Sequence, residues 1–239
     1  MEWTYNNLLF ATLTICLGSV LQAATGLGAG LIVVPLLAFI SYELIPGPMI
    51  FASLSLTAIM TVRGWRHISF AHFSILLPGL LVGIVFAASI IKLLPLNKLG
   101  VVYGILIIVA VIFSLFASSV NVTGRWYAAI GALSGFMGTT AAVGAPILAL
   151  LYQTKRGATL RATLAFLYFV SSIVILLSLH FAGKFSLIEV FWGIYLIPGF
   201  IIGYLIAPIF TRWIDRGYAR PAVLILSAIS AMLLIIKSL

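Results

Sequence analysis

Charge is what this sequence has least of. Only 7% of its 239 residues are Asp, Glu, Lys or Arg, where a soluble domain carries about a quarter. A surface built from this chain could not face water, so a soluble globular domain is excluded. Acidic residues are the rarest: Glu2, Glu43, Glu189 and Asp215 are all there are. None lies at the centre of a hydrophobic run, so a buried carboxylate relay for protons is not evident. Cysteine occurs once, as Cys16 within an apolar stretch. An intramolecular disulfide is therefore impossible, the redox compartment stays unread, and packing is the residue's simplest role. No HExxH, CxxC or paired-carboxylate spacing occurs, so metal or hydrolytic chemistry lacks support and no cofactor is expected. The opening Met1-Glu2-Trp3-Thr4-Tyr5 lacks the positive region of a signal peptide, and the first segment is expected to remain in the mature protein. No polar stretch is long enough for a linker or an appended soluble domain.

What is there is apolar. Hydrophobic residues make up 64% of the chain, and the mean hydropathy is +1.29. Runs long enough to span about 30 Å of hydrocarbon fall near 5–24, 46–62, 70–91, 98–117, 160–180, 188–210 and 219–237. Two further regions, 26–41 and 125–152, contain breaks of small residues. The first continues from 5–24 across Ala23 to Gly30. The second is broken at Gly135-Phe136-Met137-Gly138-Thr139-Thr140. The expectation is an all-α integral membrane protein, a polytopic helical bundle with eight long hydrophobic regions, two of them split at glycine-rich breaks. Unwound backbone at membrane depth is tolerated only where protein buries it or it lines a cavity.

The chain also contains one pattern twice. Leu76-Leu77-Pro78-Gly79-Leu80-Leu81-Val82-Gly83 returns as Leu196-Ile197-Pro198-Gly199-Phe200-Ile201-Ile202-Gly203, every position offset by 120. Upstream, Gly26 and Pro35 recur as Gly138 and Pro146, at offsets of 112 and 111. Two related halves with interrupted segments in equivalent places are the sequence mark of a secondary transporter, and the interruptions point at its substrate site. One membrane domain of two repeats, 1–120 and 121–239, is the natural division.

Thirteen basic residues set the net charge of +9, and most sit at segment ends, where topology explains them before a bound polyanion does. If both pieces of each split region cross, Arg63, Arg66, Arg125, Lys155, Arg156, Arg161, Arg212, Arg216 and Arg220 share one side, nine residues. Lys92, Lys98, Lys184 and Lys237 share the other, four residues. Counting each split region as a single crossing divides them 8 against 5 instead. The positive-inside rule prefers the first count. Five crossings per half is odd, so the repeats are inverted and both termini lie outside.

The candidate site lies at the two breaks. Gln22, Thr25, Gly26, Gly28, Gly30 and Pro35 form the first; Ser134, Gly135, Gly138, Thr139, Thr140, Gly144 and Pro146 form the second. Glycine lets a ligand approach main-chain N–H groups, and a helix beginning after a break offers free donors and a partial positive charge to an oxyanion. Thr25, Ser134, Thr139 and Thr140 add hydroxyls. The competing reading is that small residues only let helices pack closely. Gln22 lies one helical turn before Gly26, and its amide seeks either substrate or a neighbouring helix. Arg161 begins a long apolar segment, where it either snorkels to the interface or lines an anion path.

Thr25-Gly26-Leu27-Gly28-Ala29-Gly30-Leu31-Ile32-Val33-Val34-Pro35 resembles the first signature of the sulfite exporter TauE/SafE family. Leu133-Ser134-Gly135-Phe136-Met137-Gly138-Thr139-Thr140-Ala141-Ala142-Val143-Gly144-Ala145-Pro146 resembles the second. The two Pro-Gly-x-x-x-Gly helices and the basic loop Arg63 to Phe70 are similar as well, so the resemblance covers nearly the whole chain. It implies a carrier of small sulfur-containing or organic anions, such as sulfite or sulfoacetate-like compounds, usually outward across a bacterial inner membrane. The chain departs from the family pattern at Ala29 and at Thr139 to Ala142, where glycines are more common. The expected partners are a small anionic solute and membrane lipid, with no nucleic acid, and glycine-rich faces could also support a homodimer. A passive anion channel and a non-transporting assembly subunit are the competing functions. An intramembrane enzyme would need a nucleophile, a metal or an acid–base pair at depth.

Overall fold

In hydrocarbon each backbone N–H and C=O must be satisfied within its own segment, so runs of Leu, Ile, Val and Ala adopt helix. The computed structural model describes residues 5–26, 28–95, 98–116, 124, 126–152, 155, 157–214 and 219–238. Glu2, Asn97, Arg125, Arg156, Asp215, Arg216 and the 120/121 junction of the two halves lie outside them, as do the side chains of Arg212 and Arg220. Among the described residues there are ten α-helices and no strand. They are α1 (Tyr5–Thr25), α2 (Gly30–Ile40), α3 (Gly47–Gly64), α4 (Phe73–Ile91), α5 (Leu99–Phe116), α6 (Trp126–Ala141), α7 (Ala145–Leu151), α8 (Gly157–Phe181), α9 (Leu187–Ile214) and α10 (Ala219–Ser238).

Four spans are long and apolar enough to cross a membrane: Asn7–Thr25, Phe73–Ile91, Gly157–Phe181 and Leu187–Phe210. At about 1.5 Å per residue the shortest of these matches the hydrocarbon thickness. Gly30–Ile40, Leu99–Leu115 and Val223–Ser238 are shorter apolar helices. Large apolar side chains such as Val82, Phe86, Leu205 and Ile209 are exposed, which suits lipid and not water.

Two close seams organise the bundle, α4 against α6 and α1 against α9. In the first, Gly79 and Gly83 face the carbonyls of Ala128 and Ala132. In the second, Gly199 and Gly203 face those of Thr12 and Cys16. In both seams the residue numbers rise together, so the paired helices run parallel. Every one of these glycines lies so close to the opposing backbone that a Cβ would collide with it. Close backbone approach through small residues is how helices associate where lipid removes the hydrophobic drive. Between the seams α3 packs on α8 and α9, and α5 packs on α10. Ser19 Oγ ties the second seam by donating to the Phe200 carbonyl at 2.6 Å.

Each split region folds back on itself. The chain turns at Gly26 and Gly28, between α1 and α2, and Gly18 of α1 packs against Val33 of α2. The turn between α6 and α7 lies at residues 142–144, later than the Gly135–Thr140 break expected from the sequence. Thr139 Oγ1 and Thr140 Oγ1 donate to the carbonyls of Gly135 and Phe136, each at 2.8 Å. That back-bonding lets both threonines stay helical. The helix ends instead at Ala142, whose φ is +54°, and restarts with Pro146 in the first turn of α7, where its missing N–H costs nothing.

Candidate functional site

The first break is built around two left-handed residues, Gly26 (φ +78°) and Gly28 (φ +83°). A side chain at such angles is strained by about 1–2 kcal/mol, so glycine is what allows the turn. Gln22 staples it: the Ala29 N–H donates to Gln22 Oε1 at 2.9 Å. Of the two partners open to Gln22 in the sequence, the oxygen has found backbone across the break. In the second break Ser134 Oγ donates to the Gly144 carbonyl at 2.8 Å.

The two breaks touch. Gly28 lies against Ala145, and Gly30 lies against the Ala142 carbonyl, with no room for a Cβ at either. Tyr168 of α8 spans both, its hydroxyl 3.0 Å from the Gly26 carbonyl and 3.2 Å from that of Ala145. One phenolic proton is shared between the two acceptors.

A cavity of about 90 Å³ lies at this junction. One water needs roughly 10–15 Å³, so there is space for several waters or one small oxyanion. Of the expected residues, Gln22, Gly28, Gly30, Ser134, Gly135, Gly138 and Gly144 line it. Among the described residues the lining holds no Asp, Glu, Lys or Arg. Donors come instead from neutral groups. The N–H groups of Ile32 and Val33 both point to the Ala29 carbonyl. Gly30 and Leu31, the first amides of α2, have no acceptor within the helix, as at any helix start. Gly138 is the roomiest glycine of the site: a Cβ there would sit 3.5 Å from Ile175 Cδ1, in ordinary contact.

Other expected residues fall outside the lining. Thr139 and Thr140 are buried within α6 with their hydroxyls spent. Thr25 Oγ1 donates to the Leu21 carbonyl at 2.7 Å, and Pro35 and Pro146 are buried in α2 and α7. Gly26 supports the turn and meets the Arg161 backbone, whose Cα would lie 3.3 Å from an added Cβ. Arg161 itself lines a different cavity, with Arg63 and Tyr204. Sequence reasoning missed Ser53 and Thr57 of α3 and Tyr168, Ser171 and Ser172 of α8, all in the lining. Their hydroxyls sit in the middle of apolar runs, where the average hydropathy conceals them.

An all-helical bundle with membrane-length apolar helices, and a cavity where two unwound turns meet among apolar and neutral polar side chains, defines a multi-pass membrane protein. The sulfite exporter TauE/SafE family model matches residues 11–234, and the chain belongs to that family of membrane transport proteins. No curated protein and no solved structure matches it.

Proposed function

We propose that this protein is an alternating-access carrier of small sulfur oxyanions or organosulfonates, such as sulfite or sulfoacetate, and that it exports them. The observation that carries the reading is the meeting of two unwound turns, from corresponding places in the two halves, at a cavity whose described lining mixes apolar side chains with neutral polar groups and holds no charged one. The family's name supplies the substrate class. The first amides of α2, the backbone at Gly144, the Gln22 amide nitrogen and the Ser172 hydroxyl supply donors, with the partial positive charge of a helix start behind them. A site of neutral donors holds an anion loosely enough to release it.

The two halves, 1–120 and 121–239, act as inverted repeats. In support, the α1–α9 seam repeats the α4–α6 seam with the halves exchanged. Thr12 and Cys16 stand to Gly199 and Gly203 as Ala128 and Ala132 stand to Gly79 and Gly83. The helices of the two halves that correspond then run in opposite directions, the arrangement from which rocking exposes one site to either side. The end carrying Arg63 and Arg161 faces the cytoplasm of a bacterial inner membrane by the positive-inside rule. An inside-negative potential favours expelling each negative charge by about 2.3 kcal/mol per 100 mV.

The test is thermal stabilisation of the purified protein in detergent by sulfite, thiosulfate, taurine, sulfoacetate and acetate, beside a Gly138→Leu variant that fills the cavity. Stabilisation by a sulfur oxyanion, lost in the variant, supports the reading. A well-folded protein that no anion stabilises makes the two turns packing devices and removes it.

A further inference from the structure

A second cavity, of about 250 Å³, lies between α1, α3, α8 and α9. It shares no lining residue with the central one. Two arginines line it, Arg63 from the last turn of α3 and Arg161 from the start of α8, and among the described residues no acidic one does. Arg63 is held in place by Tyr204: its Nη1 donates to the tyrosine hydroxyl at 3.3 Å, and its guanidinium carbon lies 5.4 Å from the ring centre. Because the hydroxyl accepts from Arg63, its own proton is available to a further acceptor. Arg161 is half-buried, its backbone against Gly26. The rest of the wall is apolar: Ala23, Leu205, Ala207 and Pro208. Leu205 is 63% exposed and Ile209, one turn on, is 70% exposed, so this wall opens onto the lipid-facing side of α9.

Two guanidinium groups in one cavity, with no carboxylate among its described lining residues, favour an anion there. A guanidinium presents its N–H groups as a planar fork that matches two oxygens of one tetrahedral oxyanion. The apolar wall and the opening toward lipid say which oxyanion fits. A soluble ion would leave Leu205 and Pro208 against nothing, whereas a lipid phosphate brings its own glycerol and acyl chains to cover them. We propose that the Arg63–Arg161–Tyr204 cavity binds the phosphate of an anionic phospholipid headgroup. Basic clefts between membrane helices have the chemistry for this. The corresponding place at the other end of the bundle shows the contrast. Val85 and Ala88, offset by 120 from Leu205 and Pro208, line a cavity of about 290 Å³ in which Lys92 is the one cation among the described residues. A lone ammonium offers no fork, so the lipid preference belongs to the arginine end. This inference does not rest on the sulfur anion or on the direction of transport.

The test titrates delipidated full-length protein in a neutral detergent with phosphatidylglycerol, phosphatidylcholine or inorganic phosphate, reading bound lipid by native mass spectrometry and stability by thermal unfolding. The variants are R63Q, R161Q, their double, R63K and K92Q, each first checked for a monodisperse profile. R63K guards against a variant that merely fails to fold, since it keeps the charge and loses the fork. The expected result is at least tenfold preference for phosphatidylglycerol over phosphatidylcholine, cut at least tenfold in the double variant and severalfold in R63K, and unchanged in K92Q. Equal loss in K92Q, or undiminished preference in the double variant, overturns the assignment. So does inorganic phosphate that stabilises the protein through the two arginines while phosphatidylglycerol does not, because the cavity then serves a soluble ion.

Discussion

The hydroxyl of Tyr168 lies 3.0 Å from the carbonyl of Gly26, and the same oxygen reaches Ala145 at 3.2 Å. One side chain of α8 thus joins the turn that ends α1 to the turn that starts α7. If the halves rock about the central cavity, this bridge is among the contacts that must rearrange. Tyr168→Phe keeps the ring and removes the bridge, leaving the buried Gly26 carbonyl without its tyrosine donor at a cost of about 1–3 kcal/mol. The expected outcome is a lower melting temperature in detergent together with weaker stabilisation by sulfite. An unchanged anion response would confine Tyr168 to structure.

Gly28 and Gly138 should respond oppositely to alanine. Gly28 is left-handed and has the Ala145 Cβ in the place of its own. Gly28→Ala therefore combines about 1–2 kcal/mol of backbone strain with overpacking of about 1–3 kcal/mol. Gly138→Ala makes an ordinary contact with Ile175 and should leave stability within about 0.5 kcal/mol. Size-exclusion profiles of the two variants, followed by thermal unfolding, distinguish them.

Gln22 has a structural duty in its oxygen and a place in the cavity wall. Gln22→Leu leaves the buried Ala29 N–H unpaired and should cost about 1–3 kcal/mol. Gln22→Glu keeps an acceptor for that N–H but puts negative charge beside the anion. The fold should survive in the glutamate variant while sulfite stabilisation disappears, which thermal unfolding with and without sulfite reads directly.

The two seams should be energetically alike if the halves are repeats. Gly83 and Gly203 occupy the same place and each faces an opposing carbonyl, of Ala132 and of Cys16. Gly83→Val and Gly203→Val should each force the backbones apart and destabilise by about 1–3 kcal/mol, within roughly 0.5 kcal/mol of each other by the scatter expected of independent sites. A large inequality in the unfolding temperatures would count against equivalent halves.

The apolar runs located the helices closely because membrane helices depend on little beyond length and hydropathy. The run at 98–117 became Leu99–Phe116, and that at 160–180 became Gly157–Phe181. The glycines of the repeated Pro-Gly-x-x-x-Gly pattern turned out to be the seams, as small residues at a spacing of four suggest. The second break was misplaced because Gly135 and Gly138 read as breakers in sequence, while both lie within α6, where Gly135 packs against the Leu80 carbonyl of α4. Half of the candidate site was legible because glycine breaks are visible. The α3 and α8 contribution was not, since Ser53, Thr57, Tyr168 and Ser171 sit in runs whose average hydropathy hides them. That Arg161 shares a cavity with Arg63 could not be read either. Ninety-eight positions separate them, and only packing brings α3 and α8 together.

The central claim is carrier transport of a sulfur oxyanion through the cavity between the two turns. It is tested most directly by counterflow of radiolabelled sulfite in proteoliposomes, wild type beside Gly138→Leu. The account predicts saturable uptake that unlabelled sulfite on the far side accelerates, and its loss in the variant. Flux no greater than in empty liposomes, or flux that rises linearly with concentration and ignores sulfite on the far side, would contradict it.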